Sequence, residues 1–457
     1  MENNIRAIAL DVLLKIEQNQ AYSNLQLNQT LQNANIKNVD KGLLTNIVYG
    51  TIQRKNTIDF YVDQLLNKPV KKKDRWVLTL LRLSIYQMLY MDRVPDHAII
   101  HEAVEITKQR GHQGLAGLVN GILRKLQREG TASMDKKAGE GSEKDALTYS
   151  MPQWLFERWS DQFGQEDAKK MAESNLLASS VTARVNTHLT NRQDVLKQLK
   201  EEGIVAEEGE LSPEGIIIKE GYLPGTEVYK RGLVTIQDES SMLVARAVDP
   251  APGDYVLDTC AAPGGKSTHM AELMQGKGKV ISLDLHAHKI DLINKQAKRL
   301  DLENIEASVL DARKVTEKFL PETFDRVLVD APCSGFGVIR KKPDLKWSKT
   351  EEDVMRLNAI QKDILDAASK MVKQGGSLVY STCTVDKEEN KMVADWFLDN
   401  HPEFEWDPNF TERMPQNVRS YIIDGRSDLQ IMPHYFNSDG FYIAAYRKKT
   451  TGGEKHA

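Results

Sequence analysis

The strongest constraint on the fold of this chain is a regular alternation of apolar runs and helical segments from about residue 232 onward. Apolar runs of strand length recur seven times, over residues 255–260, 279–284, 305–311, 326–330, 377–383, 429–433 and 441–446. Helical segments between the earlier runs predict right-handed βαβ crossovers, and hence a parallel sheet covered by helices on both faces. No helix separates the last two runs, which therefore predict an antiparallel hairpin at one edge. We assign residues 233–449 to this Rossmann-like α/β domain.

The rest of the chain divides into segments of different character, as expected for 457 residues. Residues 1–130 have apolar side chains at helical spacing and predict an all-α bundle. Residues 131–146 are small, polar and charged without a period, which predicts a linker, and residues 450–457 predict a flexible tail. Residues 147–232 mix helices over 153–174 and 193–202 with strands near 181–185 and 215–218. They predict a small α/β domain that connects the other two.

Charge is unevenly distributed along the chain. Residues 1–130 carry 18 Lys and Arg against 12 Asp and Glu, an excess of +6, although the whole chain has a net charge of −4. The run Lys68-Pro-Val-Lys-Lys-Lys-Asp-Arg75 adds a local basic cluster. A solvated surface loop would also explain such a run, but the asymmetry supports an electrostatic footprint for a nucleic acid in the first third of the chain.

The sequence gives no sign of a membrane, metal or disulfide protein. No stretch approaches the roughly 20 apolar residues of a membrane span, and the first residues have no signal-peptide pattern. Cys260, Cys333 and Cys383 are far apart, form no CxxC pair and have no accompanying histidine cluster. We therefore expect a cytoplasmic protein without membrane association, a monomer, and no metal site.

A glycine-containing loop follows the first strand of the predicted sheet. Residues 258–266 read Asp-Thr-Cys-Ala-Ala-Pro-Gly-Gly-Lys and lead into a helix. Gly264 and Gly265 let the backbone pass close to a ligand, and a helix N-terminus attracts an anionic group such as a carboxylate. The loop is neither a Walker A sequence nor the GxGxxG fingerprint of dinucleotide-binding proteins.

Three further strands end in an aspartate, namely Asp284, Asp311 and Asp330. A single Asp after a strand is more often a helix cap. Three such acids together with the glycine loop fit an adenosyl cofactor bound across the strand ends. In that arrangement Asp284 accepts hydrogen bonds from the ribose hydroxyls and Asp311 faces the adenine amino group.

Two cysteines, Cys333 and Cys383, fall where the fourth and fifth strands run into loops. A core thiol would be expected within a strand instead. If these strands are neighbours, both thiols line one pocket beside the cofactor. Addition of a thiolate to carbon 6 of cytosine would give carbon 5 the enamine character that it needs to attack a methyl group.

The motifs around these residues resemble those of a known family. Residues 258–266, Asp330-Ala-Pro-Cys-Ser-Gly335 and Ser381-Thr-Cys-Thr384 resemble the motifs of the RNA 5-methylcytosine methyltransferases of the Sun/Fmu group. The helical N-terminal third resembles the RNA-binding domain of the NusB antitermination factor. The resemblance covers nearly the whole chain. It implies S-adenosyl-L-methionine as cofactor, and cytosine 967 of 16S ribosomal RNA, free or in a small-subunit precursor, as substrate.

The resemblance also implies a role for each site residue. Cys383 is the nucleophile, Cys333 takes part in release of the methylated RNA, and Asp330 also contacts the target base. The glycine loop and the strand-end acids bind S-adenosyl-L-methionine: Cys260, Ala261, Ala262, Pro263, Gly264, Gly265, Lys266, Asp284, Asp311 and Asp330. Thr384 stands where the family usually has Ser, another small hydroxyl residue.

Three further segments bear on RNA binding. Arg340, Lys341 and Lys342 follow Cys333 and could engage phosphates. Packing is favoured over base stacking for Trp347. The resemblance extends to Arg184-Val-Asn186, which would be either an RNA contact or a plain strand. It also extends to Gln237-Asp-Glu-Ser-Ser241, which would otherwise be a helix cap.

Two alternatives to an RNA methyltransferase remain open. A DNA cytosine methyltransferase would use Cys333 as the nucleophile, but that class needs neither the Thr382-Cys383 motif nor a NusB-like domain. A non-catalytic RNA-binding or antitermination factor on a decayed methyltransferase scaffold is the other alternative, and the intact loop and both cysteines argue against decay. Within the RNA methyltransferase interpretation, methylation of a different RNA also remains open.

Overall fold

The computed structural model describes residues 4–19, 23–33, 36–66, 68–71, 74–131 and 135–450. The chain forms two compact units. The first contains Met1–Leu177 together with Ile339–Ser348, and the second contains Ala178–Val338 together with Lys349–Ala457. In the described residues, no helix combines the length and the apolar composition that crossing a membrane requires.

The first unit is a helical bundle, as the sequence predicts. Its helices are α1 (Ile5–Asn19), α2 (Ser23–Asn33), α3 (Asn38–Gln53), α4 (Lys55–Leu65), α5 (Trp76–Tyr90), α6 (Asp96–Arg110), α7 (Gln113–Glu129), α8 (Gly141–Thr148), α9 (Gln153–Phe163) and α10 (Gln165–Ser174). Apolar residues at helical spacing on α1, α3, α5 and α7 are removed from solvent and pack together. Among those with no exposed surface are Leu10, Leu44, Ile47, Leu80, Leu81, Val119 and Leu123.

Two predictions for residues 131–177 need correction. The single helix predicted over 153–174 is two helices, because Gly164 between α9 and α10 adopts a left-handed φ of 86° that ends a helix. The predicted linker, 131–146, runs into α8. That helix is held by contacts from far along the chain, such as the hydrogen bond from Thr57 Oγ1 to the carbonyl of Leu147 at 2.5 Å. Residues 132–134 and 451–457 lie outside the described residues.

Helices α9 and α10 also group with the first unit, although the sequence assigns them to the middle domain. Residues just before α9 are bonded to α4. Asn56 Nδ2 donates to the carbonyl of Met151 at 2.8 Å, and the Asn56 backbone N–H donates to Ser150 Oγ at 3.1 Å. Composition alone carries no signal for these contacts, since the partners lie more than 90 residues apart.

The second unit contains two sheets. Its elements up to the cysteine loops are β1 (Val181–Val185), α11 (Arg192–Glu201), β2 (Val205–Glu208), β3 (Gly215–Glu220), α12 (Glu227–Lys230), β4 (Val234–Ile236), α13 (Glu239–Val248), β5 (Tyr255–Asp258), α14 (Gly265–Leu273), β6 (Lys279–Asp284), α15 (Ala287–Arg299), β7 (Ile305–Val309), α16 (Val315–Lys318) and β8 (Phe324–Asp330). Strands β1 to β4 form a small antiparallel sheet in the order β2-β3-β1-β4.

The chain then continues through α17 (Leu345–Ser348), α18 (Glu351–Ser369), β9 (Val372–Thr382), α19 (Lys391–Asn400), β10 (Phe404–Trp406), α20 (Phe410–Arg413), β11 (Asp428–Ile431) and β12 (Phe441–Lys448). Of these, α17 belongs to the first unit. Lys346 Nζ donates to the carbonyl of Gln53 at 2.9 Å, and Trp347 Nε1 donates to the carbonyl of Ile52 at 2.8 Å. The packing interpretation of Trp347 is therefore confirmed.

The large sheet has the strand order β10-β12-β9-β8-β5-β6-β7, with β11 also paired to β12. The pairs β8–β9, β5–β8, β5–β6 and β6–β7 are parallel, as predicted. The predicted antiparallel pair β11–β12 is present, but β12 also pairs with β9 on its other side, so β10 and β11 flank it on the outside. One face is covered by α16, α18 and α19, and the other by α13, α14 and α20.

A buried ion pair joins the small sheet to the helix that follows β5. Arg184 on β1 and Glu272 on α14 have side chains 0% and 1% exposed, and two N–H groups of Arg184 donate to the two carboxylate oxygens at 2.6 and 2.9 Å. Arg184 Nη1 also donates to the carbonyl of Gly265 at 2.8 Å. The interpretation of Arg184 as an RNA contact is therefore wrong, because its guanidinium is buried and bonded within the protein. Asp238 accepts from the Ser240 backbone N–H, which confirms a helix cap there.

Removing Arg184 should leave the Glu272 carboxylate buried without its partner. We expect Arg184→Ala to lower the free energy of unfolding by roughly 3–5 kcal/mol. The control is Lys219→Ala, which breaks the half-exposed pair with Glu207 and should cost less than about 1 kcal/mol. Urea unfolding followed by circular dichroism measures both. Equal losses for the two variants would contradict the structural role of the buried pair.

Candidate active site

The candidate residues lie at the carboxyl ends of five adjacent parallel strands, in the spatial order β9, β8, β5, β6 and β7. Cys383 follows β9, Asp330 ends β8, and the glycine loop follows β5. Asp284 ends β6, and Asp311 lies two residues beyond β7. The strand order reverses between β5 and β8, and such a switch point is where open α/β sheets bind their ligands.

The glycine loop is tied to the end of β6. The Ala261 backbone N–H donates to the carbonyl of Leu283 at 2.8 Å, and the Ala262 N–H donates to Asp284 Oδ2 at 3.3 Å. Gly264 has a φ of 103°, in the left-handed region, and its N–H closes a turn on Ala261. These bonds place the first turn of α14 at the sheet edge beside Asp284.

Asp284 after β6 and Asp311 after β7, the strand-end acids proposed for the ribose and the adenine, differ in their surroundings. Asp284 is almost buried, and its Oδ1 accepts from the His286 N–H at 3.2 Å. Asp311 accepts from the Arg313 backbone N–H at 3.0 Å and pairs with the Arg313 side chain. The hydrogen bond with the Arg313 side chain lowers the pKa of Asp311. Asp311 thus caps the turn that follows it, which is the role expected for most single Asp residues after a strand. It also lies at the same edge of the sheet as the other candidates.

Lys266 connects the glycine loop to β8. Its Nζ donates to Asp330 Oδ2 at 2.7 Å, and Ser381 Oγ donates to Asp330 Oδ1 at 2.8 Å. Burial lowers the pKa of Lys266, but Asp330, Cys383 and Asp258 raise it, and the net pKa is raised. The ammonium therefore stays charged beside Cys383. Lys266 is predicted from the sequence only as a cofactor residue, and no local pattern indicates its pairing with Asp330.

The two candidate thiols lie in contact. Cys333 Sγ and Cys383 Sγ are 3.4 Å apart, so the two thiols lie together, as the sequence predicts. The β8–β9 pairing brings them together, since Asp330 and Ser381 are register partners just before the two loops. The hydrogen bond with Cys383 and burial raise the pKa of Cys333 well above its usual range. Cys333 therefore keeps its proton.

Cys260 has a different character. Burial raises the pKa of its thiol, and its neighbour Thr259 donates to the sulfur at 3.8 Å. Because only the thiolate is nucleophilic, Cys260 is an inert thiol in the loop. In the described part of the chain, no group of three or more His, Cys, Asp and Glu side chains is arranged to hold a metal ion.

Comparison with known proteins matches this arrangement to one family. The family model described as 16S rRNA methyltransferase RsmB/F matches residues 245–447. The probable ribosomal RNA small subunit methyltransferase B of Bacillus subtilis is 50% identical over 448 residues, which cover 98% of this chain and 99% of that protein. The chain belongs to the RsmB/F family of 16S rRNA methyltransferases.

Other similarities extend the RsmB/F relationship over the whole chain. The NusB family model matches residues 3–128, and the ferredoxin-like domain of RsmF/B-like methyltransferases matches residues 151–223. Ribosomal RNA small subunit methyltransferase B of Proteus mirabilis is 32% identical, covering 98% of this chain and 99% of that protein. The crystal structure of PH0851 superposes with a TM-score of 0.82 at 28% identity, covering 97% and 98% of the two chains. The predicted fold, a NusB-like bundle, a small α/β domain and a Rossmann-like methyltransferase sheet, is confirmed.

One carboxyl group of the RsmB/F site should make stability depend on pH. Burial raises the pKa of Asp258 to about 7, partly offset by a hydrogen bond from Ser267 Oγ. The folded protein thus holds this proton more tightly than the unfolded chain, whose Asp has a pKa near 3.8. The stabilising contribution is present below about pH 4 and is lost as the pH rises through about 7.

Asp258→Asn, which keeps an acceptor for Ser267, should remove this dependence. Relative to the wild type, the variant's Tm without cofactor should rise by several degrees between about pH 5 and about pH 8. The exposed Asp291→Asn on α15 is the matched control, with a pH-independent difference. A constant Tm difference for Asp258→Asn over the same range would contradict the raised pKa.

Proposed function

We propose that this methyltransferase transfers a methyl group from S-adenosyl-L-methionine to carbon 5 of a cytosine in 16S rRNA, through a covalent bond between Cys383 Sγ and carbon 6. The contact between Cys333 and Cys383 at 3.4 Å carries the proposal. A methyl transfer to an oxygen or nitrogen atom would need no thiol, whereas carbon 5 needs a nucleophile added at carbon 6. Family membership supports rRNA as the substrate class.

The residues at the sheet edge suit S-adenosyl-L-methionine. The first turn of α14 offers backbone N–H groups and a partial positive charge to a carboxylate. Asp284, almost buried, offers carboxylate oxygens to the ribose hydroxyls, and Asp311 stands one strand further along for the adenine. The remaining cofactor residues proposed are Cys260, Ala261, Ala262, Pro263, Gly264, Gly265, Lys266 and Asp330. When bound, the cofactor supplies an electrophilic methyl group.

The protein's own groups account for the other requirements of the reaction. Cys383, beside the Lys266 ammonium, loses its proton and its sulfur bonds to carbon 6, which moves an electron pair to carbon 5. Asp330 has both oxygens engaged by Lys266 and Ser381, yet a carboxylate has further acceptor capacity for the amino group of the base. After methylation a base takes the proton of carbon 5, and the electron pair of that C–H bond restores the double bond between carbon 5 and carbon 6. The sulfur–carbon bond then breaks, and its electron pair returns to Cys383.

The role that we propose for Cys333 is to assist this last step. Its raised pKa keeps a proton within contact of the Cys383 sulfur. A thiol proton donated toward the departing sulfur favours release of the methylated RNA. The DNA methyltransferase alternative would use Cys333 as the nucleophile, and membership of an rRNA methyltransferase family argues against it.

The NusB-like bundle of residues 1–130 is the proposed RNA-binding domain. The small α/β domain of residues 147–232 connects it to the methyltransferase domain, residues 233–449, and is a second part that could bind RNA. A cavity of about 790 Å³ in the NusB-like bundle is lined by Lys68, Lys71 and Lys125 and by the glycines Gly117 and Gly121 of α7. Cations attract phosphates, and glycines let an RNA backbone approach a helix closely. Lys72 and Lys73 of the basic run lie outside the described residues. The specific target, cytosine 967, rests on the family resemblance.

The two thiols should give different defects when each is replaced. We expect Cys383→Ala to lower methyl transfer by about four orders of magnitude or more, because no sulfur can add to carbon 6. Cys333→Ala should instead accumulate a protein–RNA adduct that survives denaturing electrophoresis, because release is slowed. Tritium transfer from labelled cofactor to unmodified 16S rRNA measures the first effect. Methylation by Cys383→Ala, or an adduct in that variant, would refute the assignment.

The basic cavity predicts a salt-dependent change in RNA affinity. Lys68→Glu with Lys71→Glu should weaken RNA binding and lower the slope of log K against log salt by about 1 for each phosphate that the variant no longer binds. Cofactor binding should be unchanged. Lys370→Glu, an exposed lysine at the end of α18, is the control. An unaltered salt slope in the double variant would remove this cavity from the proposed RNA surface.

A further inference from the structure

A carboxyl group that the reaction does not use is buried behind the two cysteines. Glu389 lies in the loop between β9 and α19 and has no exposed surface. Its Oε1 accepts from the Ser334 backbone N–H at 2.9 Å and from Gln361 Nε2 at 2.9 Å, and its Oε2 accepts from Ser334 Oγ. Three donors thus converge on one carboxyl group.

These bonds reach the chain on both sides of Cys333. Ser334 follows Cys333 directly, and Gln361 Nε2 also donates to the carbonyl of Pro332, which precedes it, at 2.9 Å. Ser334 Oγ in turn contacts Thr384 Oγ1, next to Cys383, at 2.8 Å. The loops that carry the two thiols are therefore hydrogen-bonded into one network with Glu389 at its centre.

The network needs an acceptor at its centre. An ionised carboxylate offers only acceptor sites, and Oε1 of Glu389 alone accepts from two N–H donors, whereas a glutamine of the same size would bring two N–H protons of its own beside the Ser334 hydroxyl. A buried polar group left facing another donor costs the full desolvation of that group. The β9 backbone adds a further restraint, since Tyr380 Oη donates to the carbonyl of Glu389 at 2.5 Å.

The electrostatic surroundings of Glu389 show the cost of holding a charge there. Burial raises its pKa to about 7, Asp386 adds to this, and the hydrogen bonds from Ser334 and Gln361 oppose it. Cys333 and Tyr380 also interact electrostatically with the carboxyl group. A solvent-exposed acid would avoid this desolvation cost. We therefore expect that the hydrogen-bond network around Glu389 has a role that offsets the cost of burying its charge.

We propose that Glu389 is a positioning residue, which fixes Cys333 and Cys383 at contact distance by holding both of their loops. The proposal rests on the proposed function for its catalytic meaning, but the spacing of the thiols is a property of the protein alone. Loss of the carboxylate should let the loops separate, so that fewer molecules hold the sulfurs in contact. Because catalysis falls steeply when reacting groups are misplaced by about 1 Å, kcat should fall more than cofactor affinity.

The test measures the spacing of the thiols without relying on methylation. Diamide takes two electrons and two protons from a pair of thiols in contact and leaves a disulfide. We expect wild-type protein to form the Cys333–Cys383 disulfide, detected by peptide mass spectrometry, and Glu389→Gln to form it about tenfold more slowly. In the same variant kcat should fall by about tenfold to a hundredfold, with KM for the cofactor within about twofold.

Glu388→Gln is the matched control, since it makes the same change one residue away. The Glu388 backbone carbonyl accepts from Asn358 Nδ2 and its backbone N–H donates to Asp386 Oδ1, and the substitution leaves both groups in place. Its disulfide rate and kcat should equal those of the wild type. If Glu389→Gln does not fold, Ser334→Ala removes one partner of the carboxylate and should slow the disulfide in the same direction.

The outcomes separate the two proposals. An unchanged disulfide rate in folded Glu389→Gln overturns the positioning role, whatever its activity. Failure of the wild-type protein to form the disulfide contradicts the contact between the thiols itself. A slowed disulfide with methylation that does not require Cys383 upholds the positioning role and refutes the proposed function.

Discussion

Parallel pairing of β8 and β9 is the constraint on which the candidate site depends. Asp330 and Ser381 are register partners, and each is followed within three residues by a cysteine. A shift of this register by one residue would turn alternate side chains to the opposite face of the sheet. The pairing therefore sets the contact between the two sulfurs, the hydrogen bond from Ser381 to Asp330, and the position of Lys266 beside both loops.

Buried polar groups concentrate around this edge, and they are organised in two layers. Lys266, Asp330 and Ser381 form the layer at the thiols, whereas Ser334, Glu389 and Gln361 lie behind them. On the other side of β5, Arg184 and Glu272 tie α14 to the small sheet and bond the backbone of the glycine loop through Gly265. Each of these groups is costly to bury alone and is bonded to at least one partner.

Much of the fold follows from local pattern, but the contacts of the site do not. The strands β5 to β9 could be predicted because apolar runs alternate with helices. Three of the predicted strands, which extended to Cys260, Asp311 and Cys383, end one or two residues earlier in the structure, because those residues lie in loops. The pair Gly264-Gly265 indicated a close approach of the backbone, and Gly264 has the left-handed φ that favours glycine. No local pattern predicts the roles of Arg184 and Glu389, because their hydrogen-bond partners are distant in sequence. The same holds for Ile339–Ser348, which belongs to the first unit although it follows strands of the second.

The central claim is that Cys383, not Cys333, bonds to carbon 6 of the target cytosine. It is tested most directly with 16S rRNA that carries 5-fluorocytosine, because fluorine cannot leave carbon 5 as a proton does and the covalent adduct persists. Protease digestion and mass spectrometry then identify the modified peptide. The account predicts RNA attached to the peptide that contains Cys383. RNA attached to Cys333, or no attached RNA after methyl transfer, would contradict it.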